Sequence, residues 1–471
     1  MLAANDGVYW SSGSNFTSLS LTTDNEFGAS FASWDGGSNS LVYIARGGGY
    51  QATKWDGTTA TNLTASGAAA WQNDLTNPNG THCPKAEHIT SHVDRLWVAG
   101  TTEGASSYPN RLRFSHPLFP ESWREDDYID IPAGGSKITA IVPFGGHLIV
   151  FKERSVWAVY GYSEDTFQLV ELSRNFGSMN GNCVAIAENG IYFYSNPEGV
   201  FFFDGRSFRD VFQQIRPLGI GSEINETASD AISMGYANGR AYLSLPSGED
   251  VVDFADYDET GLEYDSSIRK YDGGVRATRS TNCFVYDPSI GRGAWTVYKT
   301  YDGFGLTTPT DFLDDNGNVK HVAAHPYQPY VLSIDVRENE YYDRVTSDSA
   351  QNLFESYYVT SWQDAQNVSA RKFWRRPDLV MRKSEYDSVV DVTVYHDWDD
   401  TTEVKSFSVS QSGFISGASW QSWLPPDFGA EHHKTDSLGV ARSVKLKFSG
   451  DTGPWALYSL TYKFNPRKIQ A

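Results

Sequence analysis

Four side chains able to hold a metal ion, His82, Cys83, His88 and His92, crowd into one short stretch. A structural zinc site takes four such ligands, usually with cysteines in close pairs. Only one cysteine stands here and no second pair lies at finger spacing, so the stretch reads as a polar loop between strands. Asp256-x-Asp258-x-Thr260-Gly261 loosely matches the opening of a calcium loop, but Ser267 occupies the position where a bidentate Glu is needed. Asp314-Asp315-Asn316-Gly317 reads instead as a tight hairpin turn. Glycoside hydrolysis needs two carboxyl groups a few ångströms apart. The chain has 58 Asp and Glu residues, and no spacing favours any pair. Neither a Gly-x-Ser-x-Gly elbow nor a phosphate-binding loop occurs. The sialidase box Ser-x-Asp-x-Gly-x-Thr-Trp is missing as well. No catalytic, cofactor-binding or metal-ligating residue is assigned, and the expectation is a protein that is not an enzyme and takes no cofactor.

Charge is more informative. The formal net charge is −20, which keeps a chain soluble and repels polyanions. Ordinary nucleic-acid binding needs basic patches that reach phosphates, so it is rejected. Acids crowd the stretch from Gly248 to Asp265, at Glu249, Asp250, Asp253, Asp256, Asp258, Glu259, Glu263 and Asp265. So many like charges cannot share a core, and the region near 246–280 is expected to project as an insertion. One local reversal of sign occurs at Arg371, Lys372, Arg375, Arg376, Arg382 and Lys383, interleaved with Phe373 and Trp374. This run reads either as an edge strand guarded by charge or as a docking face for an acidic neighbour, another copy of this chain included. Arg371, Lys372, Arg375 and Arg376 are the docking candidates.

The elements around these residues are strands. Trp55-Asp56-Gly57, Phe203-Asp204-Gly205 and Tyr286-Asp287-Pro288 each close a hydrophobic run. Looser copies end at Trp10, Phe114, Tyr160-Gly161 and Ile334-Asp335, at intervals of about 45, 59, 46, 43, 83 and 48 residues. Periods in the forties are those of four-stranded propeller blades. The long interval contains the acidic insertion and still counts as one blade. Inside each copy a β-branched or aromatic strand leads through a turn to a second aromatic strand, as in His147–Phe151 followed by Ser155–Tyr160. A lone hairpin buries too little to be stable, whereas stacking blades around an axis covers both faces. The fold class expected is all-β, a β-propeller of six or seven blades over residues 1–349. A β-sandwich or a solenoid is the alternative.

From about Glu355 the pattern changes to longer alternating strands, such as Val389–Tyr395, Ser443–Phe448 and Ala456–Tyr462. Alternation with one wet face suits an antiparallel sandwich, so a C-terminal β-sandwich-like domain is expected over 350–471. Helix is scarce, with one short turn expected near Asp210 to Arg216. The three cysteines, Cys83, Cys183 and Cys283, are odd in number and far apart, which argues for reduced thiols. No apolar stretch is long enough to span a membrane, and the first residues carry no secretory pattern. The sequons at Asn15, Asn62, Asn79, Asn225 and Asn367 then read as by-products of composition.

A run of phrases in order carries a resemblance. It begins with Asp94-Arg95-Leu96-Trp97-Val98-Ala99, then Asn110-Arg111-Leu112-Arg113-Phe114-Ser115 and Pro120-Glu121-Ser122-Trp123. It continues through Gly134-Gly135, Ile138-Thr139-Ala140-Ile141, His147–Phe151 and Ser155–Gly161, and closes with Gly190–Phe193 and Gly199–Gly205. This segment, Asp94 to Val211 and about a quarter of the chain, resembles the tail nozzle proteins of short-tailed bacteriophages, also called packaged-DNA stabilisation or tail-hub proteins. The resemblance implies a structural virion protein, made in the host cytoplasm and located in the phage tail. It implies a homohexameric ring beneath portal and adaptor proteins, which extends the DNA exit channel, retains the packaged genome and carries tail fibres or a needle. DNA would pass without specific binding, and the family pattern supplies no catalytic residue. The chain departs from it in its short length, its acidic insertion and its C-terminal domain. By independent physics, a conduit for DNA needs walls that do not hold phosphates, and Asp253, Asp256, Asp258 and Glu259 are the channel-lining candidates. The alternative is a minor tail or receptor-recognition propeller that binds host surface glycans. A propeller hydrolase acting on a glycan is the third possibility.

Overall fold

A computed structural model of the chain describes residues 2–4, 7–11, 16–23, 28–35, 40–64, 71, 82–132, 136–216, 232–246, 280–289, 293–298, 306–313, 317–324, 331–334, 356–382, 388–411, 430–433, 435–450 and 457–466. The chain divides into two compact units, Met1–Asp335 and Val336–Ala471. Among the described residues the regular elements are strands, except for 3-10 turns at Glu164–Thr166, Gly181–Cys183 and Phe212–Gln214. The last of these lies where the sequence places its one short turn. No helix of the described residues is long and apolar enough to cross a membrane.

The first unit is a β-propeller, built from antiparallel meanders laid down in chain order, the last two of which join into one seven-stranded sheet. Blade 1 has three described strands, Leu2–Ala4, Gly7–Ser11 and Phe16–Thr22. Blade 2 comprises Ser30–Asp35, Ser40–Ala45, Thr53–Trp55 and Ala60–Asn62. Blade 3 comprises Lys85–His92, Arg95–Glu103, Ser106–Phe114 and Tyr128–Asp130. Blade 4 comprises Ile138–Phe144, His147–Lys152, Val156–Tyr160 and Gln168–Ser173. Blade 5 comprises Val184–Ala187, Gly190–Ser195, Gly199–Phe203 and Phe208–Asp210. Blade 6 comprises Ser233–Ala237, Arg240–Pro246, Ser280–Asp287 and Ala294–Tyr298. Blade 7 has three described strands, Thr307–Leu313, Val319–Ala324 and Val331–Ser333, and its first strand pairs in parallel with the first strand of blade 6 through Tyr236 and Thr310.

Period-two alternation explains why these sheets stack. Successive side chains of a strand point to opposite faces. In blade 3, Leu96 and Val98 pack with Tyr43, Ala45 and Leu63 of blade 2, while Trp97 and Ala99 pack with Ile141, Leu148 and Val150 of blade 4. Blade 5 repeats the device: Ile191, Phe193, Phe201 and Phe203 face Phe151 and Val156 of blade 4, and Tyr192, Tyr194, Val200 and Phe202 face Met234, Leu243 and Tyr286 of blade 6. A smaller layer joins Tyr242 and Val285 of blade 6 to Leu306 and Ala323. A sheet apolar on both faces needs a neighbour on each side, which a two-layer sandwich does not provide. Each free cysteine lies buried in a different interblade layer, Cys83 between blades 2 and 3, Cys183 between 5 and 6, and Cys283 in the layer after blade 6.

The second unit is sandwich-like. Its larger sheet orders strands Ser356–Val359, Val444–Gly450, Ser388–His396 and Lys405–Gln411. Two three-stranded sheets cover one face, one around Lys372–Trp374 and the other around Asp378–Arg382. Trp374, Leu379 and Met381 from the small sheets meet Val390, Val392, Val394, Leu446 and Phe448 from the large one.

Candidate functional site

The aromatic-Asp-Gly mark is a turn. In blades 2, 5 and 6 it joins the third strand to the fourth. The Asp carboxylate folds back to accept backbone N–H groups, Thr58 and Thr59 at 2.9 and 2.7 Å on Asp56, Arg206 and Ser207 at 2.8 and 2.7 Å on Asp204, and Ser289 at 2.9 Å on Asp287. Gly57 and Gly205 then take φ of +97° and +91°, a region closed to ordinary side chains. These backbone bonds hold the Asp56 and Asp204 carboxyls below the usual range, so the marks are architectural acids, committed to their own turns.

Two of the corresponding loops carry the main charge cluster of the described residues. Arg95 starts the second strand of blade 3, Arg124 and Asp127 lie in the loop between its third and fourth strands, and Glu164 lies in the equivalent loop of blade 4. Arg95 Nη1 is 3.2 Å from Glu164 Oε1 and Arg124 Nη1 is 2.9 Å from Glu164 Oε2. Arg124 Nη1 also lies 3.4 Å from Asp127 Oδ1. The guanidinium of Arg95 rests over Phe114 and Phe167, 5.1 and 5.7 Å from their centroids. A cavity of about 310 Å³ opens beside the cluster, lined in part by Phe114, Asp127, Glu164 and Phe167. Asp127 is 3% exposed, and burial, with the Glu164 carboxylate adding to it, pushes its carboxyl up to about 6. The ion pairs thus form an open chain, Arg95 to Glu164 to Arg124 to Asp127, that crosses the seam between blades 3 and 4, and Arg95 Nε and Asp127 Oδ2 have no hydrogen-bond partner among the described residues.

A second clamp crosses the seam between blades 2 and 3. Glu121 Oε1 accepts from the Tyr43 hydroxyl at 2.8 Å and from Lys54 Nζ at 2.7 Å. Burial, with the nearby Glu121 charge, pushes the Tyr43 hydroxyl far up, so it remains a donor. Within blade 3, Arg113 donates to both oxygens of Glu103, and Arg111 lies between the rings of Tyr108 and Tyr128 at 3.9 and 4.0 Å. Arg113 Nη1 donates further to the carbonyls of Arg124 and Glu125.

The stretch from His82 to His92, expected as a polar loop, is placed differently. It is no polar loop: Lys85–His92 is the first strand of blade 3, and Ala86 and Ile89 face the core. Burial pushes His88 down to about 4 and raises the Cys83 thiol. The described residues hold no group of three or more His, Cys, Asp or Glu side chains set to take a metal. Asp253, Asp256, Asp258 and Glu259 lie outside the described residues. The strands that flank them, Arg240–Pro246 and Ser280–Asp287, pair directly, with Leu245 opposite Asn282, so the insertion springs from one hairpin of blade 6. Of the basic candidates, Arg371, Arg375 and Arg376 are exposed. Lys372 is not a docking charge: it is 2% exposed, and its Nζ donates to the carbonyls of Asn367, Ala370 and Arg442. Its inward position follows from strand parity, since it shares a face with the buried Trp374.

Comparison with known proteins assigns the chain to no family. No protein-family model matches the sequence, and no curated protein matches it. Among solved structures, the chain is similar to BamB from Moraxella catarrhalis, at 9% identity and a TM-score of 0.31 over 64% of this chain and 80% of that one. It is also similar to YCF48 bound to D1 peptide, at 9% identity and 0.32 over 62% and 78%. The third is BBS1N in complex with ARL6, at 10% identity and 0.35 over 63% and 73%. Likenesses of this size carry no functional argument.

Proposed function

We propose that this chain is a non-catalytic structural subunit of a short-tailed bacteriophage tail, a nozzle or hub protomer that joins further copies in a ring around the DNA exit channel. The observation that carries the reading is where the resembling phrases fall. Asp94 to Val211 covers most of blade 3, blade 4 and blade 5, where apolar layers fill the spaces between sheets and ion pairs cross the seam between blades 3 and 4. A part that bears load while DNA passes needs such stiffness. Net negative charge fits a wall that must release phosphates. Electron microscopy of the purified full chain, and of the particle that contains it, tests the proposal. Six-fold rings on the tail axis are expected. A peripheral trimer would replace the reading with receptor recognition, and a monomer absent from tails would end it.

A further inference from the structure

The turn that follows strand Ser388–His396 is strained in a way stability does not explain. Asp397 and Trp398 have φ of +53° and +64°, the left-handed geometry that two-residue hairpin turns give to Asn-Gly. A bulky indole in that region costs about 1–2 kcal/mol, and Trp398 recovers little of it by burial, being 43% exposed. The surroundings nonetheless fix the turn from several sides. Asp397 Oδ1 accepts from the backbone of Arg442 and Ser443 at 2.6 and 3.2 Å. Asp399 N donates to His396 O at 3.0 Å, and Asp399 Oδ1 accepts from Thr401 and Thr402. Strain that is held so firmly, on an exposed aromatic ring, points to use of the ring.

What lies beside the ring says what it takes. Trp362 stands 6.2 Å away, centroid to centroid, tilted by 39°, and backbone bonds between Gln363 and Val444 fix the segment that carries it. Lys445 Nζ lies 5.7 Å from the Trp362 centroid and 3.0 Å from Asp400 Oδ1. Farther along the same open sheet face, Lys447 Nζ lies 5.4 Å from the ring of Tyr357, which is 61% exposed. Four residues of strand separate the two ends of this strip, about 13 Å at the usual rise. The strip interleaves rings with ammonium groups, whereas the core of a protein interface is depleted of charge. It does not suit a single-stranded nucleic acid either, because Asp391, Asp399 and Asp400 flank the two lysines and single-strand platforms are net positive.

We propose that this face of the second unit is a saccharide-binding platform. Trp398 and Trp362 take the apolar faces of successive pyranose rings, their mutual tilt following the twist between neighbouring sugars. Asp400 accepts from sugar hydroxyls while Lys445 donates to them. The ligand is a neutral, extended oligosaccharide.

The test uses the full chain and titration calorimetry with neutral oligosaccharides of glucose, galactose and N-acetylglucosamine, in α and β linkage, with tryptophan emission recorded in parallel. At least one series is expected to bind, with affinity rising with length. Trp398→Gly is the key variant, since glycine is at ease at this φ. It should fold with unchanged or raised thermal stability while affinity falls at least about tenfold. Trp362→Ala should weaken binding comparably. The proposal is overturned if no saccharide binds, or if Trp398→Gly binds as well as the parent chain. It also fails if a thymidine oligonucleotide, rather than a sugar, perturbs the tryptophans, or if Trp398→Gly abolishes self-association in a chain that binds no sugar.

Discussion

The hydroxyl of Tyr43, on the second strand of blade 2, donates to the carboxylate of Glu121, in a loop of blade 3, at 2.8 Å. Tyr43 is fully buried, so the donor of this bond lies out of water while Glu121 and Lys54 stay partly exposed. Tyr43→Phe is expected to cost about 1–2 kcal/mol, because it leaves Glu121 with Lys54 alone. Denaturant unfolding of Tyr43→Phe, Glu121→Gln and the double variant measures it. Strictly additive effects would show that the pair is not coupled.

Asp127 makes stability depend on pH in the opposite sense to most surface acids. Its carboxyl is raised from 3.8 to about 6 in the folded chain. Between those values the folded state keeps a proton that the unfolded state has lost, so stability falls as pH rises through that window and stays lowered above it. Asp127→Asn should therefore gain about 2 kcal/mol near pH 7 and nothing near pH 4. Equal melting temperatures for the two proteins near pH 7 would mean that Arg124 already compensates the charge.

Lys372 and Arg371 are neighbours with different fates. Lys372→Met strands three carbonyls and should destabilise the second unit by about 3 kcal/mol. Arg371→Ala, at an exposed position, should stay within about 0.5 kcal/mol. If the exposed arginines dock a second copy, Arg375→Glu with Arg376→Glu should reduce ring assembly in sedimentation without changing the melting temperature. A fall in melting temperature of both would assign them to the fold instead.

Replacing Asp253, Asp256 and Asp258 by Asn and Glu259 by Gln tests the conduit hypothesis, which the sequence charge of −20 motivates. Virions carrying this variant should release DNA more slowly. Ejection kinetics identical to those of the parent particle would remove these acids from the channel wall.

The blades were legible because alternation and turn chemistry are local. Asp56 and Asp204 bond residues two and three positions ahead, and Asp287 bonds Ser289, two ahead, so the signal of each mark lies within a few letters of text. The looser marks at Phe114 and Tyr160 also end third strands, whereas Trp10 lies in the middle strand of blade 1. The clamps were illegible for the opposite reason. Arg95 and Glu164 are 69 positions apart and Tyr43 and Glu121 are 78 apart, and only stacking brings them together. Lys372 could have been placed from its parity with Trp374, but a run of basic letters obscured the strand. Trp398 gave no warning, since its turn normally calls for glycine.

The separation of the three thiols has a practical consequence. Each sulfhydryl is sealed between a different pair of neighbours, so a thiol reagent reaches it only when that particular wedge of the ring parts. Labelling rates at Cys83, Cys183 and Cys283, resolved by mass spectrometry, thus become three independent clocks. Under load or mild denaturant they report which seam opens first, with no engineered probe.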